Sequence, residues 1–154
     1  TWDMADSEGS LGVGPTEFDV SWFSNDAGVT TLRACYFDDA YVFGDNGSFE
    51  NVQGDETWLE PWQGVESEGC GAPVAPHDGS ADATFVYDGD AQTLTLNGAG
   101  AYIGLPKAIN GAEIGSVADV PASISYNAYL NDDGTMSVTV EAGDGVWWNY
   151  LLTR

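Results

Sequence analysis

Between residues 122 and 141 the chain repeats with a period of two, and this repeat restricts its fold more than any other feature. Ile124, Tyr126, Ala128 and Leu130 alternate with Ser123, Ser125, Asn127 and Tyr129. After Asn131-Asp132-Asp133-Gly134, Met136, Val138 and Val140 alternate with Thr135, Ser137, Thr139 and Glu141. Alternate residues of a strand share a face, whereas a helix returns to one face every 3.6 residues, so this is strand patterning. The Asn-Asp-Asp-Gly insert is turn chemistry: Asn and Asp bond their own backbone and Gly accepts a positive φ. Together they predict a hairpin with one apolar face. A second turn, Gly143-Asp144-Gly145, leads into residues 146–152, apolar at nearly every position. That run predicts a closing strand covered on both sides.

The same grammar recurs upstream. Residues 83–87, 93–96 and 101–105 read as strands separated by Asp88-Gly89-Asp90 and Asn97-Gly98. Residues 34–43, 49–52 and 57–59 do so around Asp45-Asn46-Gly47 and Gly54-Asp55. Residues 2–4, 18–23 and 29–37 extend the pattern to the start. Residues 60–82 and 106–121 interrupt it; the first carries Cys70 and the only histidine. Connections this long inside a domain are more often functional than short ones.

With 43% hydrophobic residues and six Trp in 154 residues, the chain can bury one sizeable core, which predicts a single all-β domain over 1–154. Eight to ten short antiparallel strands must protect their edges. An up-and-down, lipocalin-like barrel is favoured over a two-sheet β-sandwich.

Charge narrows the partners. The 25 Asp and Glu face only Arg33, Lys107 and Arg154, a formal net charge of -22. Nucleic acid and anionic membrane surfaces both require clustered Lys and Arg, so neither is expected as a partner. Because the acids are spread along the whole chain, they repel one another across a folded surface. Stability should therefore rise with salt, as suits a saline habitat, marine or halophilic.

Chemical motifs are sparse. Cys35 and Cys70 lack the spacing and companions of a zinc site. A disulfide is the simplest reading, and two buried thiols in a reducing compartment are the alternative. On a strand, Glu17 and Asp19 would place two carboxyls about 7 Å apart on one face, but Val20-Ser21-Trp22 follows where a glycosidase acid motif needs a further Glu. The three acidic turns lack the ligand spacing of a calcium loop. His77 in Pro76-His77-Asp78-Gly79-Ser80 has no nucleophile-elbow context. No catalytic residue, metal or cofactor is expected.

Trp58 and Trp62 lie in Asp55-Glu56-Thr57-Trp58-Leu59-Glu60-Pro61-Trp62-Gln63-Gly64. Flat apolar rings among carboxylates and amides can serve as a sugar platform, though core packing is the stronger reading for Trp at such positions. Lys107, in Gly104-Leu105-Pro106-Lys107, suits a structural ion pair or a contact to an acidic ligand.

Ser10-Leu11-Gly12-Val13-Gly14-Pro15, with the strings at 35–43, 55–64, 73–80 and 100–108, resembles a β-domain of secreted marine bacterial proteins. That domain occurs singly or in tandem, often beside family 16 glycoside hydrolase catalytic domains. The opening Trp, the Phe-turn-Gly-Ser-Phe hairpin and the closing Trp-Tyr-Leu strand are similar to small lipocalin-like barrels. The resemblance implies a secreted or periplasmic domain, and with the Trp58 and Trp62 region the leading expectation is a non-catalytic accessory domain that binds carbohydrate. Trp58, Trp62 and Tyr102 would stack on sugar rings while Glu56, Gln63, His77 and Lys107 make polar contacts. The alternatives are a lipocalin-like binder of a small apolar molecule in an enclosed barrel cavity, or a ligand-free spacer.

Overall fold

The alternating strands close on themselves. The computed structural model describes all 154 residues. The chain opens with β1 (Trp2–Met4), β2 (Leu11–Gly14) and β3 (Phe23–Ser24), then forms two short helices, α1 (Ala27–Leu32) and α2 (Ala34–Phe37). Next come β4 (Ala40–Phe43) and β5 (Ser48–Val52), followed by a small hairpin of β6 (Thr57–Leu59) and β7 (Gly69–Gly71). β8 (Ala83–Asp88) and β9 (Thr93–Asn97) precede a second small hairpin, β10 (Ala108–Ile109) with β11 (Ala112–Glu113). The chain finishes with β12 (Ser123–Leu130), β13 (Met136–Glu141) and β14 (Trp147–Thr153).

Eight of these strands follow the order β1-β4-β5-β8-β9-β12-β13-β14, with every neighbouring pair antiparallel. Pairing of Asp3 with Thr153 and of Met4 with Leu152 joins the last strand to the first. The result is a closed up-and-down barrel, which removes the free edges a sandwich would retain. β2 pairs with the first half of β14 and carries β3 on its outer side. Ile124, Tyr126 and Ala128 of β12, Val138 and Val140 of β13, and Tyr150 and Leu152 of β14 are buried, as their alternation requires. Fully burying one such aliphatic side chain contributes roughly 1.5–3 kcal/mol.

Several expectations need correction. β14 alternates buried and half-buried residues and is not covered on both sides. Its outer face meets the strap at residues 15–22, where the Asn149 side chain accepts from Phe18 N and donates to the Asp19 carbonyl. Residues 18–23 are that strap, reaching a strand only at Phe23, so Glu17 and Asp19 do not share a strand face. Residues 29–37 are helical despite their β-branched members. The Asp26 carboxylate caps the Val29 amide, and the Thr30 and Thr31 hydroxyls donate back to the Asp26 and Ala27 carbonyls. Residues 101–105 form no strand at all and are buried as a plug. The Cys35–Cys70 disulfide links α2 to β7, and no helix is long and apolar enough to cross a membrane.

The barrel has two unlike ends. The turns after β4, β8 and β12 cluster at one end with Trp2 and Arg154. At the other end α2, the β6–β7 hairpin and the plug cover the opening.

Candidate functional site

At the covered end the connection after β9 turns back into the barrel. Ile103 and Leu105 are 0% and 2% exposed, deeper than most strand residues. An irregular backbone at such depth must find partners for its polar groups. Two tyrosine hydroxyls supply them: Tyr126 accepts from Ile103 N at 3.0 Å and Tyr41 from Gly104 N at 2.9 Å. Gly104 has φ +76°, and a Cβ there would overlap the Tyr150 ring. The residue is therefore held by shape as well as conformation. Asn51 donates to the Tyr102 carbonyl and Gln53 to the Tyr102 hydroxyl, at 2.8 and 2.7 Å.

Behind the plug lies an acid with no cationic partner. Asp39 is 2% exposed; its Oδ2 accepts from the Thr57 hydroxyl at 2.7 Å, and its Oδ1 has no partner. Burial pushes its pKa up to about 8, so at neutral pH it is mostly the uncharged acid. Burial also raises the pKa of Tyr36, Tyr41 and Tyr102, and the Asp39 charge adds to each. His77 is the converse case. It is 3% exposed, its Nδ1 has no partner, and desolvation lowers its pKa to about 4, leaving it neutral.

Five of the seven sequence-predicted ligand residues converge at this end, around an acid the sequence did not single out. Glu60 accepts from Lys107 at 2.8 Å and from Trp62 Nε1 at 2.9 Å, while its backbone N–H donates to Gln63. The Trp62, His77 and Tyr102 rings follow edge to face, with 5.6 Å between successive centroids. Lys107 also lies 5.3 Å from the Trp148 ring, whose Nε1 donates to Glu113. Gln63, His77 and Tyr102 are buried, leaving Trp62 as the partly exposed ring. Trp58 stands apart and buried, with the Arg33 guanidinium 4.4 Å over its ring and Glu68 accepting from its Nε1. Glu56 is exposed and enters no ion pair. A two-Trp platform would need Trp58 at the surface; here its ring faces packing side chains.

At the opposite end the barrel is open. A pocket of about 180 Å³ is lined by Trp2, Phe43, Phe85, Tyr87, Leu94, Leu130, Met136 and Arg154, seven of the eight apolar. Each of β1, β4, β8, β9, β12 and β13 contributes a side chain. Tyr87 and Leu130 are 40% and 60% exposed, so the rim presents apolar surface to solvent. The Arg154 guanidinium carbon lies 4.2 Å over the Trp2 ring. None of this set was among the sequence-predicted ligand residues; Arg154 entered only as one of three cations, and Trp2, Leu130 and Met136 only through strand patterning and the barrel likeness. The signal available was that Trp2, Leu94, Leu130 and Met136 each sit next to a predicted turn or chain end, where barrel strands finish.

The other singled-out acids are accounted for locally. Glu17 Oε1 accepts from Asn127, Tyr129 and Thr139, tying the strap to the outer sheet face. Asp88 and Asp133 accept from backbone N–H groups of their own turns. No cluster of three or more His, Cys, Asp or Glu is placed to hold a metal.

Compared with known proteins, the chain matches no family model, no curated protein and no solved structure. The geometry of its own two ends therefore carries the functional reading.

Proposed function

We propose that this domain is a non-catalytic binder of a small ligand, whose apolar part it takes at the open mouth of the barrel. One observation carries this: apolar side chains from six strands converge on a solvent-connected pocket instead of packing it shut. A pocket of about 180 Å³ is smaller than the roughly 300–1,000 Å³ of drug-sized sites, which favours a short alkyl group or a single ring. The enclosed, lipocalin-like cavity of the sequence expectation is replaced by a shallow mouth, because the plug and the buried Tyr41, Tyr126 and Tyr150 side chains of the barrel strands occupy the interior. The Cys35–Cys70 disulfide supports a secreted or periplasmic location.

The test is a titration with neohexanol, a compact apolar alcohol, followed by tryptophan fluorescence and chemical shifts. Saturable changes at Trp2, Leu94 and Met136 support the proposal, and their absence refutes it. A carbohydrate-binding accessory role has one supporting observation, the half-buried Trp62 ring between Glu60 and His77. It requires that Trp62→Ala abolish a measured glycan affinity.

A further inference from the structure

The mouth also holds a charge pattern that apolar binding alone does not explain. Three cations serve 25 acids in this chain. Two of them are paired: Arg33 with Glu68 at 3.2 Å and Lys107 with Glu60 at 2.8 Å. The third, Arg154, forms neither an ion pair nor a side-chain hydrogen bond, and its guanidinium rests on the face of Trp2. A cation is drawn to an indole face by the ring quadrupole, most strongly where water is partly excluded. The pocket wall beside it adds Phe43, Phe85 and Tyr87.

Around this aromatic wall the rim is acidic. Asp45, Asp88, Asp90, Asp132 and Asp133 are all exposed on the three turns that border the mouth, and Asp3 follows Trp2 in β1. Their summed field, with the excess of the whole chain behind it, raises the local concentration of cations and repels anions. The field of the rim acids adds to the attraction that the Trp2 quadrupole already exerts on a cation.

Resting on the mouth-binding reading, we propose that the ligand is cationic: a small alkylammonium or quaternary ammonium compound whose head displaces Arg154 from the Trp2 face. Arg154 then acts as the resident occupant of this seat. On displacement it moves into solvent and loses no ion pair, so the exchange is cheap for a cation. A neutral ligand of the same shape also displaces Arg154 but gains no comparable attraction. An anion gains only the single guanidinium and meets the acidic rim.

Three probes with one apolar body separate these cases: choline, its uncharged isostere neohexanol, and the tert-butylacetate anion. Dissociation constants would be measured by chemical-shift titration at low ionic strength. The expected order is choline first, about fivefold tighter than neohexanol, with tert-butylacetate weakest. Arg154→Gln removes the competing cation, so choline should bind about twofold tighter and its advantage over neohexanol should widen. Trp2→Leu, with folding checked by circular dichroism, should bring the two constants together. Added salt should shrink choline's advantage as the rim is screened.

Equal binding of all three probes at the mouth would overturn the cationic assignment and leave the mouth-binding reading standing. Tighter binding of tert-butylacetate, lost in Arg154→Gln, would overturn it in favour of Arg154 as an anion anchor. If no probe shifts any mouth resonance, the mouth-binding reading itself fails.

Discussion

The two ends of this barrel use similar residues for opposite purposes. At the covered end aromatic and polar side chains are spent on one another: Tyr41 and Tyr126 hold the plug backbone, Glu60 holds Lys107 and Trp62, and Asp39 stays buried without a counter-charge. At the mouth, Trp2, Tyr87 and Leu130 face a pocket, and the neighbouring guanidinium has no acid partner. Aromatic content is therefore a poor guide to binding. What separates the two ends is whether a chain segment already fills the space the rings enclose.

That contrast can be broken most forcefully at Gly104. Gly104→Ala should cost about 3 kcal/mol or more, read as a fall in denaturation midpoint, because the new methyl meets the Tyr150 ring at a positive φ. A loss below about 1 kcal/mol would mean that the plug and the Tyr150 ring yield to the added methyl. The buried acid gives the next largest effect. Asp39 has a folded pKa raised to about 8, so the folded state holds its proton more tightly than the unfolded chain does. The resulting stability is complete below the unfolded value and is lost as pH rises toward about 8, on the order of a few kcal/mol in total. His77 acts in the opposite direction, since its folded pKa is lowered from 6.5 to about 4; stability is lost as pH falls through that interval. The window from about 6.5 to 8 therefore isolates Asp39. Chemical denaturation across it should show falling stability in the wild type and a much flatter profile in Asp39→Asn.

Lys107→Met removes a partly buried partner of Glu60 and should cost about 2 kcal/mol, against little change if the pair is merely a surface contact. Screening should act on both ends together: melting temperature should rise between about 0.05 M and 0.6 M salt as the acids cease to repel one another. A flat or falling curve would remove the saline reading. The smallest expected change in stability is at the mouth. Leu130→Ser should shift it by no more than about 0.5 kcal/mol while weakening neohexanol binding severalfold.

Much of the barrel was legible in the sequence because the physics there is local. Period-two patterning in β12 and β13 fixes which face is dry, and Asn131 to Gly134 fixes the turn, so the hairpin follows from neighbouring residues alone. One failure comes from long-range contacts and another from a local cap that outweighs propensity. Residues 101–105 are as apolar as a strand, and only the hydroxyls of Tyr41 and Tyr126, far away in sequence, make an irregular plug the better solution. Val29, Thr30 and Thr31 favour strands by propensity, yet the Asp26 side chain caps the Val29 amide and starts a helix there. The site was legible in part. Lys107, Trp62, Gln63, His77 and Tyr102 do come together, but mainly as packing at the covered end. The mouth escaped notice because its lining comes from strand ends spread between Trp2 and Arg154, with no motif to connect them.

One experiment addresses the division between a filled end and an open one most directly. Methyl and backbone chemical shifts would be mapped while neohexanol is titrated into the folded domain. Leu94, Leu130 and Met136 should move together along one saturable curve, with Ile103 and Leu105 unmoved. Shifts centred on Ile103 and Leu105, or on Trp62 and Lys107, would show that the ligand enters the covered end and would contradict a division into a filled end and an open one.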